Sequence, residues 1–317
     1  MTFIASQSLS RVTVRPLVTA DFDAVVALDQ GAERAARRGY FDRRLAAAQR
    51  HPKRHLQLAA ESDGKLVGFL LARRAGGEYG QADPSVVLEA VGVTPPSRHA
   101  GVGQQMVSSL RDLMRARGIP VLRTQVDWHN HAMLRFLDAA RFFLAPRLVL
   151  ERRVQRMPLP DTDEAIEEMP PFVRMLRAAD FDAVARIDAA VTNADRREYL
   201  ARKLEEALDE SAIAVSLVAE DDGFVVGFAM ARVDYGDFGH IEPVAELDTI
   251  GISPGHAHRG LARGLLTQMI DNLSALHVER LETEIAHDDL ALLRFLTAFG
   301  FRPGARLSFQ KRVLERA

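Results

Sequence analysis

The stretch Glu246 to Leu266, ELDTIGISPGHAHRGLARGLL, carries residue types that can hold a phosphate group. Leu247, Ile250 and Ile252 form an apolar strand, and Pro254-Gly255 break it. Arg259, Gly260, Ala262 and Gly264 then lead into Leu265, Leu266, Met269, Ile270 and Leu273 at helical spacing. The first turn of a helix leaves backbone N–H groups without partners and carries partial positive charge, so a turn of small residues there makes a phosphate cradle. The same design stands one half-chain earlier. Leu88 to Val93 is the strand, Pro95-Pro96 the break, and Arg98, Gly101 and Gly103 the turn, with Val102, Met106, Leu110 and Leu113 on the helix.

Two nucleotide chemistries are excluded by residue. Gly255 and Gly260 have the spacing of P-loop glycines, but Leu261 and Ala262 stand where lysine and a hydroxyl residue would meet phosphate and magnesium. A dinucleotide fingerprint places G-x-G-x-x-G after the first strand of its unit, whereas Gly101-Val102-Gly103 continues as Gln104-Gln105-Met106 and comes late in its half. His256, His258 and His287 share no fixed ligand spacing, so no metal is expected.

The elements that position these turns are duplicated. VRPLVTADFDAVVALD, from Val14, returns as VRMLRAADFDAVARID, from Val173, and the offset holds for Tyr40 with Tyr199, Gly92 with Gly251, Gly101 with Gly260 and Phe142 with Phe301. Such a period suits a whole domain rather than a solenoid unit. The spacing predicts two domains, residues 1–155 and 172–317, joined by an acidic, proline-bearing linker over 156–171. Each copy reads β α α β β β α β α β, a mixed-sheet α/β fold. Asp63-Gly64 and Asp222-Gly223 are the hairpin turns, and the terminal strands near Leu148 to Val154 and Leu307 to Val313 are expected to close their own halves. Tyr40 and Tyr199 read as core residues, and the run Arg34, Arg37, Arg38, Arg43, Arg44 as a solvated helix face.

At 317 residues and 47% hydrophobic, the chain can bury two cores. A net charge of -2 gives no footprint for nucleic acid, and no segment has transmembrane length, so neither nucleic acid nor membrane is an expected partner. With no cysteine there is no disulfide, thiolate site or thiol nucleophile. The start MTFIASQSLS lacks the pattern of a signal peptide, so the expected location is cytoplasmic.

The turns resemble the acyl-CoA-binding motif of the GNAT acetyltransferase superfamily, [Q/R]-x-x-G-x-[G/A]. Arg98-His-Ala-Gly101-Val-Gly103 matches in full, and His258-Arg259-Gly260-Leu-Ala262-Arg-Gly264 matches an extended form with Ala257 departing at the first position. The element order of both halves is similar to that fold. The family's second motif, N-x-x-A-x-x-F-Y-x-x-x-G-F, is seen as Asn130 to Phe142 and Asp289 to Phe301, with Leu137 and Leu296 at its tyrosine.

The resemblance implies two tandem acyl-CoA N-acyltransferase domains that move acetyl from acetyl-CoA to an amine on a small molecule or peptide. It implies cofactor contacts at Ile250, Gly251, Ile252, His258, Arg259, Gly260, Leu261, Ala262, Arg263 and Gly264, and at Val91, Val93, Arg98, Gly101, Val102 and Gly103. The fourth strand would part from the fifth at a bulge, for which Gly92 and Gly251 are apt, and an N–H near Val91 or Ile250 would hold the oxyanion. Glu246 and Asp248, two apart on that strand, are the expected catalytic base, with Val87 and Glu89 as counterparts. Catalysis is accordingly expected in the second copy. Coenzyme A, with a thiol pKa of roughly 8.5, can leave without a tyrosine. The alternative is an acyl-CoA sensor without turnover. The duplication predicts a monomeric pseudo-dimer or a homodimer, and the acceptor stays open.

Overall fold

The computed structural model describes residues 12–29, 34–76, 79, 84–155, 172–211, 213–235, 238 and 242–314. The expected linker, 156–171, lies outside them. The first half runs β1 (Thr13–Pro16), α1 (Phe22–Leu28), α2 (Arg34–Arg50), β2 (His55–Ser62), β3 (Lys65–Ala75), β4 (Ser85–Val93), α3 (Val102–Ala116), β5 (Val121–Asp127), α4 (His131–Ala139), β6 (Phe143–Leu144) and β7 (Arg147–Arg153). The second repeats it as β8 (Phe172–Met175), α5 (Phe181–Thr192), α6 (Arg197–Glu205), β9 (Leu217–Asp221), β10 (Phe224–Tyr235), β11 (Pro243–Ile252), α7 (Leu261–Ala275), β12 (Arg280–Ala286), α8 (Leu290–Ala298), β13 (Arg302–Pro303) and β14 (Arg306–Arg312).

Local chemistry explains the elements. Asp63 and Gly64 have φ of 50° and 71°, and Asp222 and Gly223 49° and 79°, the paired positive φ that a tight two-residue hairpin turn needs. On α3 and α7 the buried residues Met106, Leu110 and Met114, and Leu265, Met269 and Leu273, recur every three or four positions and lie against the sheets. Tyr40 and Tyr199 are core residues, as expected. Arg44 is not solvated. It is 4% exposed and turns inward from α2.

The terminal strands correct the sequence reading. The first sheet runs β1-β2-β3-β4-β5-β14-β6 and the second β13-β7-β12-β11-β10-β9-β8, so each half is closed by the other half's last strand. β14 pairs antiparallel with β5 from Arg306↔Asp127 to Arg312↔Val121, and β7 pairs with β12 from Arg153↔Arg280 to Arg147↔Ala286. Each exchanged strand also brings a cation to the C-terminus of a short helix, where carbonyls lack partners. Lys311 Nζ donates to Ala140 O at 2.5 Å, and Arg152 donates to Phe299 O at 2.5 Å.

A repeated clamp ties the first strand of each half. Arg15 donates to Asp21 at 2.7 and 2.8 Å and to Glu61 at 2.9 Å, and Arg174 makes the same bonds to Asp180 and Glu220. The guanidinium bonds hold the Asp21 and Asp180 carboxyls below the usual carboxylate range, outweighing partial burial. A carboxyl whose folded pKa is depressed contributes stability above its unfolded pKa, and that contribution is lost as pH falls through the folded value. Denaturant midpoints are therefore expected to fall as pH drops below about 4, and an Asp21→Asn/Asp180→Asn chain to show a flatter acid arm. An unchanged arm would refute the clamp.

Candidate active site

β4 and β5 pair in parallel only through Ser85↔Val121, Val86↔Leu122 and Val87↔Arg123, then part. β11 and β12 likewise pair only from Val244↔Arg280 to Glu246↔Glu282. The bulges lie earlier than expected. Leu71 faces Ala90 and Ala72 faces Leu88, so Glu89 is the extra residue; Asp248 is the extra residue in the second half. Gly92 and Gly251 are small for another reason, because a Cβ there would lie 2.4 Å from the Phe69 ring and 2.7 Å from that of Phe228.

The parted strands expose backbone donors. Thr94 N–H bonds Val67 O on β3 at 2.9 Å, so by strand alternation the N–H groups of Val91 and Val93 point into the gap. Ser253 N–H to Val226 O at 2.8 Å sets the same phase for Ile250 and Ile252. At the vertex, Thr124 Oγ1 donates to Leu88 O and Thr283 Oγ1 to Leu247 O, each at 2.8 Å.

Beside the first gap lies a cleft of about 850 Å³ between Val91, Val93, Arg98, Gly101, Gly103 and the α4 residue Phe136. Gly101 caps α3 with φ 81° and Gly260 caps α7 with φ 75°, left-handed values that favour glycine, and both have open space where a side chain would be. Gly103 is small because its Cβ would sit 2.8 Å from Phe136. Val102 and Leu261, expected at the cofactor, are 2% and 6% exposed and face the cores, so only their N–H groups can serve a ligand. The Arg98 guanidinium stands at the first mouth, with Nε 3.3 Å from Val93 O. A left-handed cap, unpartnered first-turn amides and a cleft in the size range of cofactor sites fit a diphosphate with an extended arm.

The second mouth carries different charges. Arg259 is 3.2 Å and His256 3.5 Å from Asp221, and Arg263 lies 5.3 Å over the Phe299 ring. His258 has φ 63°, like His99 at 65°. Ala262 and Gly264 line the first turn of α7, where Gly264 N–H bonds Gly260 O at 2.9 Å.

A second space of about 400 Å³ adjoins the first cleft, sharing Val91, Asn130 and Met133 with it. Its walls come from both halves. Glu89 and Asp127 belong to the first, while Phe238, Glu242, Arg280 and Arg306 belong to the second. Glu89 is held by Arg73 at 2.5 Å and Arg44 at 3.3 Å. At the rim, Asp127 Oδ1 accepts the His129 backbone N–H at 2.8 Å and lies 2.9 Å from its Nδ1; the backbone bond leads in keeping the Asp127 carboxyl low.

Among the described residues, Glu246 and Asp248 face no open pocket. The space beside them is only about 20 Å³. Glu246 pairs with Arg232, and Asp248, 5% exposed, is bonded by Lys203 at 2.8 Å. Burial pushes the Asp248 carboxyl up to about 6 against the pull of Lys203. Burial opposes the charge on neighbouring Glu206 too, but Lys203, Arg73 and Arg202 hold it well below the usual range. Leu137 and Leu296 are sealed in the cores, and Trp128 is exposed at 56%. The sequence reading missed Arg44, Arg73, Tyr79, Phe238 and the Asp127–His129 pair. Arg73 and Arg232, equivalent charges inside apolar strands, were the available signal, because a buried charge requires a partner.

Paired sheets with parted central strands and a glycine-capped helix at each parting define an acetyltransferase of tandem build. The chain belongs to the Acetyltransferase (GNAT) family, whose pattern matches residues 22–141 and again 181–301, and it is an acetyl-transferring enzyme. It is 28% identical to a mycothiol acetyltransferase of Sanguibacter keddieii, with 92% of each chain covered, and 25% identical to one of Actinosynnema mirum, with 77% and 79% covered. In fold it is similar to a tandem GNAT protein from the clavulanic acid biosynthesis pathway, at TM-score 0.59, 14% identity and coverage of 97% and 100%. A GCN5-related N-acetyltransferase from Sphaerobacter thermophilus also has TM-score 0.59, at 17% identity with 96% and 97% covered. Among the described residues no helix is long and apolar enough to cross a membrane.

Proposed function

We propose that the first half transfers acetyl from acetyl-CoA to a primary amine, and that the second half completes its acceptor pocket. What carries this reading is the contrast in space. Clefts of about 850 and 400 Å³ meet at Val91, whereas about 20 Å³ remains beside Asp248.

When bound, acetyl-CoA supplies an activated acyl group on a leaving thiolate. The N–H groups of Val102, Gly103 and Gln104, with Arg98, bind its diphosphate. Val93 pairs with its arm as an added strand would, and the Val91 N–H is aimed where negative charge develops on the carbonyl oxygen. The Glu89 ion pairs fix the bulge that aims it. The amine, with a pKa of roughly 10.4, must lose a proton. With Nδ1 held by Asp127, His129 takes it on Nε2 through water. The second half has Ala286 and Asp288 at these positions and so lacks the pair. The amine that mycothiol acetyltransferases, the relatives named above, acetylate joins small amines and peptide amines in the acceptor panel.

Gly101→Asp tests the assignment. Aspartate tolerates a left-handed backbone better than most residues, so it adds a charge at the mouth with little strain. At least about a tenfold loss of kcat/KM is expected, against less than about threefold for Gly260→Asp. The reverse order would place the chemistry in the second half. No thiol release with any acceptor, while acetyl-CoA still binds, would favour the sensor.

A further inference from the structure

We infer that Tyr79 is a stopper: supplied by the first half, it closes the acceptor channel of the second, so the duplicated enzyme has one working site by steric blockage. The inference rests on the first-half assignment above and goes further, to what silences the second copy.

Tyr79 belongs to the stretch between β3 and β4, yet its hydroxyl lies in the other half. It donates to Leu247 O at 3.0 Å and lies 2.5 Å from Thr283 Oγ1. Leu247 and Thr283 directly follow Glu246↔Glu282, the last rung that joins β11 to β12. The hydroxyl is therefore anchored at the vertex of the second parting. The ring packs against the second core. Burial, the largest influence, pushes its pKa far up, so the phenol stays a neutral hydrogen-bond donor.

The equivalent residue on the other side is Phe238, which lines the open first pocket. Without a hydroxyl it has nothing to offer Leu88 O, which already accepts from Thr124. It is drawn instead toward Arg306, which donates to Phe238 O at 2.9 Å and lies 5.5 Å over its ring. Arg147, the counterpart of Arg306, is committed elsewhere, with Nε 2.7 Å from Glu284 Oε1. The position equivalent to Glu284 is Gln125, and the two meet across the seam at 2.9 Å, 159 residues apart. A glutamine cannot capture Arg306 as an ion pair. Two differences between the copies, Tyr79 for Phe238 and Glu284 for Gln125, thus shut one pocket and leave the other open. The remnant of about 20 Å³ is room for about one water, not an amine.

The test uses the full chain with its first mouth blocked by Gly101→Asp. Adding Tyr79→Ala, which uncovers Glu246 and Asp248 as carboxylate bases in place of the pair this half lacks, is expected to raise thiol release from acetyl-CoA, over the amine panel, at least about tenfold above Gly101→Asp alone. Phenol, a surrogate for the missing ring, is expected to raise the Tm of the Tyr79→Ala protein but not of wild type, and to suppress the gained turnover. Tyr79→Phe should stay silent, because Arg147 stays committed to Glu284 and the ring has no other seat to move to. Tyr79→Leu, a smaller loss of volume, serves in place of the alanine if that chain does not fold. A phenol-binding cavity without gained turnover overturns the stopper alone, as does a Tyr79→Ala protein that phenol does not shift. Wild-type turnover in Gly101→Asp alone overturns the first-half assignment and the stopper with it.

Discussion

Glu89→Ala is expected to destabilise the protein by about 3–5 kcal/mol, because it removes the carboxylate that two buried guanidiniums share. The Glu89 side chain is 2% exposed, with Arg73 at 2.5 Å and Arg44 at 3.3 Å. Burial and nearby Arg232 work against the charge on Arg73, and Glu89 with Glu206 more than offsets both. Among the described residues, removing Glu89 leaves Arg73 the Glu206 contact at 3.9 Å. Isolated surface pairs are worth about 0–1 kcal/mol, so an effect of that size would sink this account. The measurement is a denaturant or thermal melt, where the loss corresponds to a Tm fall of roughly 6 °C or more. Arg44→Met/Arg73→Met/Glu89→Leu should recover most of the loss, since a buried ion cluster replaced by apolar groups costs little. The equivalent trio of Lys203, Arg232 and Asp248 occupies the second half, so the cluster is a device of the fold as well as of the site.

The legible parts of this protein were those written in local pattern. The duplicated run from Val14 and Val173, the Asp-Gly hairpin turns, and the Gly101 and Gly260 helix caps each have a short-range physical cause, and each lies where the spacing put it. The bulges were displaced because Gly92 advertises freedom of backbone, while its role is to admit the Phe69 ring. Glu246 and Asp248 share a face of β11, as their spacing requires. Tyr79, more than a hundred positions away, lines the small space beside them, and alternation along a strand says nothing about a residue that arrives from the other half. The preference for the second copy rested on its longer glycine pattern and its two carboxylates, and neither feature carries information about Lys203 and Arg232, which pair with those carboxylates.

The exchange of terminal strands was hidden for a related reason, and it leads to the second large effect. A chain of residues 1–155 alone is expected to form a homodimer of twice its own mass, with β7 of each copy laid on β5 of the other. Alone, this half lacks β14, so seven residues of β5 lose their antiparallel partner, while β7 loses β12. Two unpaired edges in one molecule are a template for exchange. β7 reads RLVLERR and β14 RLSFQKR, so the first half's own strand can fill the vacancy in the same register, with Arg152 taking the place of Lys311 at Ala140 O. This likeness also explains why the sequence could not reveal the pairing: either strand satisfies either edge by pattern, and the chain's path decides. Gel filtration with light scattering provides the measurement. A dimer that Val149→Pro converts to aggregate or unfolded monomer is the expected pair of results, because proline removes a ladder donor and is poorly tolerated inside a sheet. A compact, stable monomer of residues 1–155 would mean that β7 folds back onto its own β5, and that the exchange is not what binds the halves together.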